Sequence, residues 1–415
     1  MEPPRFVDYY SGLIKCLMYW GMPMPWWVQK PSKTVWLLLV TYDTLTLAVT
    51  CFALYLYVYT VTLDDVEFEE VNVLPPAICF KLCVLGISLL QFLDRGRIKQ
   101  LSDDLDAVVR TIIETDLGQD ESVKESFIQM YSKKSKFLVN YCRTMPFFAV
   151  SYYVIYFGSV PLIDWSEGIY RSHYPLPLLT PFDGRKPGIY EFLVFVVLIS
   201  LTMVSGKQIN NTCIFLAFFN VLRSFLHYLS LTMSEMQKIS YKERNDPSIR
   251  RKIRVWIQIH QEVNRNLQVL LKIFSPVVII YSIYLLLYLI TAIFMQMQKK
   301  EENIYQTAAE GLAVIGMVRQ IYVIFNTADQ ITTEAQKLAN AAYELPWYQM
   351  DNSMRSTINM IMMMCNRPVH ITGYRAKSFI VNRETIAGLM TSAVSGYLTL
   401  CQMTDAFGPK ESSRQ

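Results

Sequence analysis

The residues of this 415-residue chain best placed to do chemistry are ionisable and thiol side chains set inside apolar runs. Asp43, Lys81, Arg143, Lys207 and Arg319 each interrupt a long apolar stretch, and Cys79 and Cys83 stand one helical turn apart on either side of Lys81. A charge at mid-bilayer costs about 2.5 to 3.5 kcal/mol on insertion scales, so such a residue faces protein or water instead of lipid. Lys81 lies nearest mid-depth and marks either a polar or water-filled pocket or an interhelical pair. Arg143 and Arg319 fall toward the ends of their runs, where a long side chain can snorkel. Asp43 needs only a hydrogen bond to a neighbouring helix. The two thiols lack a third ligand in view and read as small membrane-helix residues, so no metal is expected.

Catalytic patterns are missing. His173, His227, His260 and His370 form no H-E-x-x-H arrangement, and Gly206-Lys207 belongs to no phosphate-cradling loop. No enzyme activity, cofactor or nucleic-acid partner is expected. Eight cysteines (Cys16, Cys51, Cys79, Cys83, Cys142, Cys213, Cys365 and Cys401) lie in or beside apolar segments and supply no external disulfide framework.

The elements that must position these residues are membrane helices. The chain is 52% hydrophobic and only 18% charged, against roughly 25% for an ordinary globular domain. Its apolar residues bunch into runs of about the 20 residues that cross a bilayer. Seven are expected: 35–61, 73–93, 137–162, 189–219, 269–297, 304–324 and 384–403. The fourth is long enough to project beyond the hydrocarbon, and its polar interruption Lys207-Gln208-Ile209-Asn210-Asn211 suggests where it leaves the lipid. The amino-terminal stretch shows no cleavable signal; Phe6, Tyr10, Leu13, Leu17 and Trp20 fall at helical spacing, suiting a helix on the membrane surface or one packed on the bundle.

Orientation follows from basic residues, which are retained on the cytoplasmic side. The stretch between the first two runs carries Asp64, Asp65, Glu67, Glu69 and Glu70 with no lysine or arginine. The amino-terminal segment and the connections after the second and fourth runs are rich in bases, including Arg95, Arg97, Lys133, Lys134, Arg250, Arg251 and Arg254. The amino terminus is therefore expected inside and the carboxyl terminus outside, which also puts the sequon at Asn210 out of reach of lumenal glycosylation. The two large inner connections repeat apolar residues every three or four positions, in residues 105–116 and 253–270, so a helical body is expected in the cytosol. The fold class expected is an all-α membrane protein of seven transmembrane helices with a cytosolic helical anchor.

The carboxyl-terminal third carries a family pattern. Leu338, Ala341, Tyr343, the Trp347-Tyr348 pair, Arg355, Met362 in a methionine-rich run, Pro368, and later Tyr397-Leu398-Thr399-Leu400 together resemble the signature region of insect odorant receptors. Phe325, Ala328, Ala335 and Asn366 depart from the family's usual residues. The resemblance implies odorant-gated cation channels, with four subunits around a pore lined by the seventh span, in the plasma membrane of olfactory sensory neurons. The connection over residues 220–268 and the tail QMTDAFGPKESSRQ do not look like those of the shared co-receptor. A ligand-specific tuning subunit, partnered by co-receptor subunits, is the expectation.

On that resemblance the chain divides into a ligand-binding bundle (1–326), a cytosolic anchor (327–377) and a pore helix with its tail (378–415). A small volatile organic ligand is expected in the outer half of the bundle, touching candidates from Cys79, Phe80 and Lys81; Phe148, Ser151, Tyr152 and Ile155; Ile199 and Met203; and Tyr305, Ala308 and Ile315. Ser395, Thr399, Leu400, Gln402, Met403 and Thr404 are the pore and gate candidates for permeating cations, with Leu400 at the gate position. Tyr343, Trp347, Tyr348 and Arg355 are the subunit-interface candidates. Two rival readings remain, a gustatory-type receptor channel and a G-protein-coupled receptor, although D-R-Y and N-P-x-x-Y patterns are absent and the charge distribution inverts the latter's topology. A secondary transporter would show internal repeats, and none is visible.

Overall fold

A computed structural model describes residues 74–114, 121–166, 189–238, 247–298, 304–367, 369–373 and 376–407, together with single helical positions between 41 and 55. The expected amino-terminal helix, most of the first run, the acidic stretch after it, Asp43 and the tail beyond 407 lie outside the described residues. The chain builds α1 (Leu74–Leu93), α2 (Arg95–Glu114), α3 (Glu121–Ser166), α4 (Ile189–Gln237), α5 (Pro247–Gln298) and α6 (Ile304–Tyr343). A 3-10 turn (Trp347–Gln349), α7 (Asn352–Cys365), strands β1 (Thr372–Gly373) and β2 (Ala376–Ile380), and α8 (Arg383–Phe407) follow.

Local sequence explains where these helices start and stop. α1 opens on Leu-Pro-Pro, placing both prolines in the first turn, where their missing N–H groups have no helical partner to lose. α6 ends just before Leu345-Pro346, since the residue preceding a proline is pushed out of the helical region. Asn382 caps α8: its Oδ1 accepts the Thr385 backbone N–H at 2.9 Å.

α4 is the centre of the molecule. It packs most extensively against α6 and α3, and every residue from 211 to 222 is buried, as a helix apolar on all sides requires. With 49 residues at about 1.5 Å each, α4 is more than twice as long as the roughly 30 Å of bilayer hydrocarbon is thick. Its second half therefore joins a helical body beyond the apolar segments. There α2 contributes a one-sided stripe of Ile98, Leu101, Leu105, Val108 and Ile112. Trp256 of α5 is fully buried and donates from Nε1 to the Leu229 carbonyl at 3.1 Å.

Among the described residues, α4, α5 and α6 are each long and apolar enough to cross a membrane, and α1 carries a shorter apolar stretch, Cys79–Leu93. Helices also cover the expected runs 137–162 and 384–403. α6 is continuous from Ile304 to Tyr343, so the expected division at 326/327 falls inside one helix. The expectation of helices alone needs one amendment. A two-stranded antiparallel hairpin, Thr372 against Ile380 and Gly373 against Ala376, links α7 to α8. It is seated on α5, where Ser275 Oγ donates to the Thr372 carbonyl at 2.7 Å. Gly373 is required at this seam: a Cβ there would stand 2.8 Å from Ile279 Cδ1.

Candidate functional site

A buried polar layer joins α4, α5 and α6 near the ends of their apolar segments that face the helical body. Gln208 Nε2 donates to Gln320 Oε1 at 3.0 Å, and Gln320 Nε2 donates to Thr212 Oγ1 at 2.6 Å. Thr212 Oγ1 lies 3.2 Å from the Tyr281 hydroxyl and donates to the Gln208 carbonyl at 3.0 Å. Asn211 Nδ2 reaches Ser88 Oγ of α1 at 3.4 Å. The polar interruption of the fourth run thus turns inward to other helices. The amides of Gln208, Asn211 and Gln320 are enclosed and partnered, as apolar surroundings demand, whereas Asn210 Oδ1 is buried without a partner among the described residues.

Arg319 does more than snorkel. Its Nη2 donates to Thr144 Oγ1 at 2.7 Å, and its guanidinium lies 5.2 Å from the centre of the Phe148 ring and 5.6 Å from that of Tyr141. Two aromatic faces and a hydroxyl from α3 hold the charge at the protein surface. Arg143 is exposed, Lys207 is half-buried, and Lys81 of α1 is only 1% exposed. No group of three histidine, cysteine or carboxylate side chains suited to a metal occurs among the described residues.

The expected ligand residues fall into two clusters and some outliers. Phe80 meets Tyr284 of α5 at 5.8 Å between ring centres, and Tyr284 in turn meets Tyr288 at 5.9 Å. The Tyr284 hydroxyl and the Gln208 amide both point to the Met317 sulfur, at 3.9 and 4.0 Å. In the second cluster, Phe148 packs on Gly316, where an added Cβ would lie 3.5 Å from Phe148 Cβ. Cys79, Ser151, Tyr152, Ile155, Ile199 and Met203 are half-buried. Ala308 and Ile315 are exposed, and the Tyr305 side chain lies outside the described residues. The sequence reading missed Gln320 and Thr212 as members of the polar layer. A glutamine inside the 304–324 run was the available signal for the first; nothing local marked the second.

α8 packs on α5 and α6 through one seam. Ala393 is 1% exposed, and a Cβ at Gly396 would approach Ile290 Cδ1 to 2.7 Å. The opposite side presents Thr391, Ser392, Ser395, Leu398, Thr399 and Gln402 to the exterior; Leu400 is exposed too, near the carboxyl-terminal end and in register with the seam residues Ala393 and Gly396. The hydroxyls of Thr391 and Thr399 donate back to the carbonyls of Ala387 and Ser395, each at 3.0 Å, which leaves their oxygens as outward acceptors. Met403 and Thr404 continue the helix, with side chains outside the described residues.

In the helical body, Glu334 collects charges from two helices. Its Oε1 lies 3.4 Å from Arg223 Nη2 and 3.3 Å from Lys337 Nζ, and its Oε2 is 3.2 Å from His227 Nδ1. Arg223 Nη1 also donates to Gln330 Oε1. Arg355 Nη2 donates to the Tyr348 carbonyl at 3.0 Å and so braces the 3-10 turn from within its own chain. Trp347 is half-buried, while Tyr343 and Tyr348 are largely exposed, as are Met360 and Met363 on α7.

A family model described as 7tm Odorant receptor matches residues 78–380, well over half of the chain. Among curated proteins, the odorant receptor coreceptor of Anopheles gambiae is 20% identical over 164 residues, which is 39% of this chain and 33% of that protein. The coreceptor of Aedes aegypti is 19% identical over 165 residues, again 39% and 33%. The chain thus spans about a third of the length of the curated relatives it matches. Among solved structures, the insect olfactory receptor OR5 from Machilis hrabei, alone or in complex with eugenol, superposes with a TM-score of 0.71 at 13% identity, covering 90% of each chain. That likeness concerns the fold.

Proposed function

Since the chain belongs to the 7tm Odorant receptor family, which it matches over residues 78–380, we propose that it is a ligand-specific subunit of an odorant-gated, non-selective cation channel. It assembles with co-receptor subunits into a tetramer in the plasma membrane of olfactory sensory neurons. Its seven spans place the amino terminus in the cytosol and the carboxyl terminus outside. A small volatile molecule enters the outer half of the bundle, among α1, α3, α4 and α6, above the polar layer. The eugenol complex of the Machilis receptor supports a small organic ligand for this chain as well.

The observation that carries this reading is the exposed, hydroxyl-bearing side of α8 opposite its packed seam. A helix facing lipid gains nothing from a row of Thr391, Ser392, Ser395, Thr399 and Gln402, whereas a helix facing water and cations does. Leu400 stands seven residues after Ala393 and four after Gly396, on the seam side of α8 and exposed beyond that contact, and the family resemblance makes it the gate position. Four such groups meeting at an axis exclude water and close a pore. The exposed Tyr343, Tyr348, Met360 and Met363 supply apolar surface for the neighbouring subunits in the cytosol.

The ligand opens the gate only as far as it binds the open arrangement better than the closed one. Tyr284 is placed to relay that difference, because it touches Phe80 of α1 and Met317 of α6 while belonging to α5, the helix on which α8 rests. The test is whole-cell current from cells expressing the chain with and without a co-receptor, across a panel of volatiles, repeated with Leu400→Ala. Ligand-evoked cation current needing both subunits, with altered resting current in the variant, is expected. Unchanged gating and permeation in Leu400→Ala refutes the pore role of α8. Antibody reaching a carboxyl-terminal tag on intact cells checks the orientation.

A further inference from the structure

A cleft of about 400 Å³ opens in the helical body, between α4, α5, α6, the end of α7 and the segment that leads to the hairpin. Its walls bring together His260, Asn264, Arg265 and Gln268 of α5 with Arg367 and His370 from the far side. Spacings of four, one and three residues put the α5 group on one face of the helix. No carboxylate lines the cleft. The nearest acid paired with this set, Asp104, approaches Arg265 from α2 at 3.4 Å, and the Arg265 side chain stays 63% exposed. Leu226 and Leu271 form an apolar floor. Cys365, 3.9 Å from His260 Nε2, adds no charge, because burial pushes its thiol up to about 12.

His260 and Asn264 bond each other at 3.1 Å, and burial lowers His260 to about 4, so it stays neutral. The two guanidiniums, of which Arg265 also meets Asp104, with His370 and the Gln268 carboxamide make a donor set suited to an anion with several oxygens. A phosphate matches the planar fork of arginine. The volume lies within the range of ordinary small-ligand sites. Leu271 stands two residues inside the apolar run that begins at 269, so the cleft sits level with the inner headgroups. We propose that this cleft binds a phosphate-bearing ligand and that the bound phosphate ties α5 to the segment entering α8. Its access from the cytosol rests on the orientation given under the proposed function; the donor set itself does not.

Binding of a fluorescent short-chain phosphatidylinositol 4,5-bisphosphate to the purified full-length chain in detergent tests this, with inositol 1,4,5-trisphosphate as soluble competitor. Arg367 and His370 are both exposed, so the double variant Arg367→Gln/His370→Gln leaves the core untouched. It should bind about ten-fold more weakly or worse, a loss of at least about 1.4 kcal/mol. Gln268→Glu, which sets a carboxylate in the cleft, should weaken binding likewise. Arg254→Gln, on an exposed part of α5 outside the cleft, should not. Competition by the soluble headgroup identifies a free phosphate compound as sufficient; its failure to compete identifies the lipid as the source. Absence of binding by the native chain, or equal binding by native and both cleft variants, overturns the proposal, as does an equal loss in Arg254→Gln. Because the assay contains no odorant, co-receptor or current, its failure is distinct from failure of the channel reading.

Discussion

Replacing Gln320 by leucine removes two hydrogen bonds at once, the 3.0 Å bond from Gln208 and the 2.6 Å bond to Thr212. Leucine nearly preserves the volume, so the effect is polar. Gln208, 4% exposed, is left with only the Met317 sulfur at 4.0 Å for its amide. An unpaired buried amide costs about 1 to 3 kcal/mol. Interhelical hydrogen bonds measured within membranes average about 0.6 kcal/mol and reach about 1.7. With two bonds lost in a buried site, a destabilisation of about 2 kcal/mol is expected. Gln208→Leu should cost a similar amount. The double variant should cost less than the sum by about 1 kcal/mol, because neither amide is then stranded. The assay is a double-mutant cycle on the purified protein, read as unfolding in a denaturing detergent titration. Strict additivity would refute the reasoning, since it would mean that the two glutamines do not meet.

Three further outcomes follow from the same contacts. Glu334→Gln strands Arg223 against a neutral partner, and loss of one member of a buried pair costs about 3 to 5 kcal/mol; unfolding titrations should show that loss, with partial recovery on adding Arg223→Met. Burial first, and then the Arg223 charge, lowers Lys134 to about 8 from its ordinary 10.5, so the unfolded chain binds more protons between those values and stability rises with pH across that window. Lys134→Met should abolish that rise and stabilise the protein at neutral pH, as thermal unfolding against pH will show. Gly396→Ala forces a methyl against Ile290 at 2.7 Å. Overpacking costs about 1 to 3 kcal/mol, and Ile290→Ala in the same chain should restore both stability and resting current.

Helices were legible in the sequence because apolar runs of membrane length leave few alternatives, and the family match over residues 78–380 bears out the resemblance read from Leu338 to Pro368, while Tyr397 to Leu400 lie beyond it. The hairpin at 372–380 was not legible. Two strands of two and five residues carry too little alternation to stand out, and they form because Ser275 and Gly373 seat them on α5. The polar layer was half legible: Gln208 and Asn211 broke an apolar run, yet their partners Gln320 and Ser88 lie more than a hundred residues away. Arg319 looked like a snorkelling cation because its aromatic and hydroxyl partners belong to another helix. For the expected ligand residues, facing directions depend on how α3, α4 and α6 rotate against one another, which spacing along one helix does not encode.

The central claim is that α8 lines a water-filled path for cations. Thr399→Cys, on its exposed side, puts a thiol on that path at a position whose hydroxyl bonds back to the Ser395 carbonyl of its own helix. A membrane-impermeant, thiol-directed cation applied to cells co-expressing the variant and a co-receptor should progressively abolish the volatile-evoked current, faster when ligand is present. Current that persists unchanged through complete modification of Cys at 399, verified by labelling, would contradict the claim.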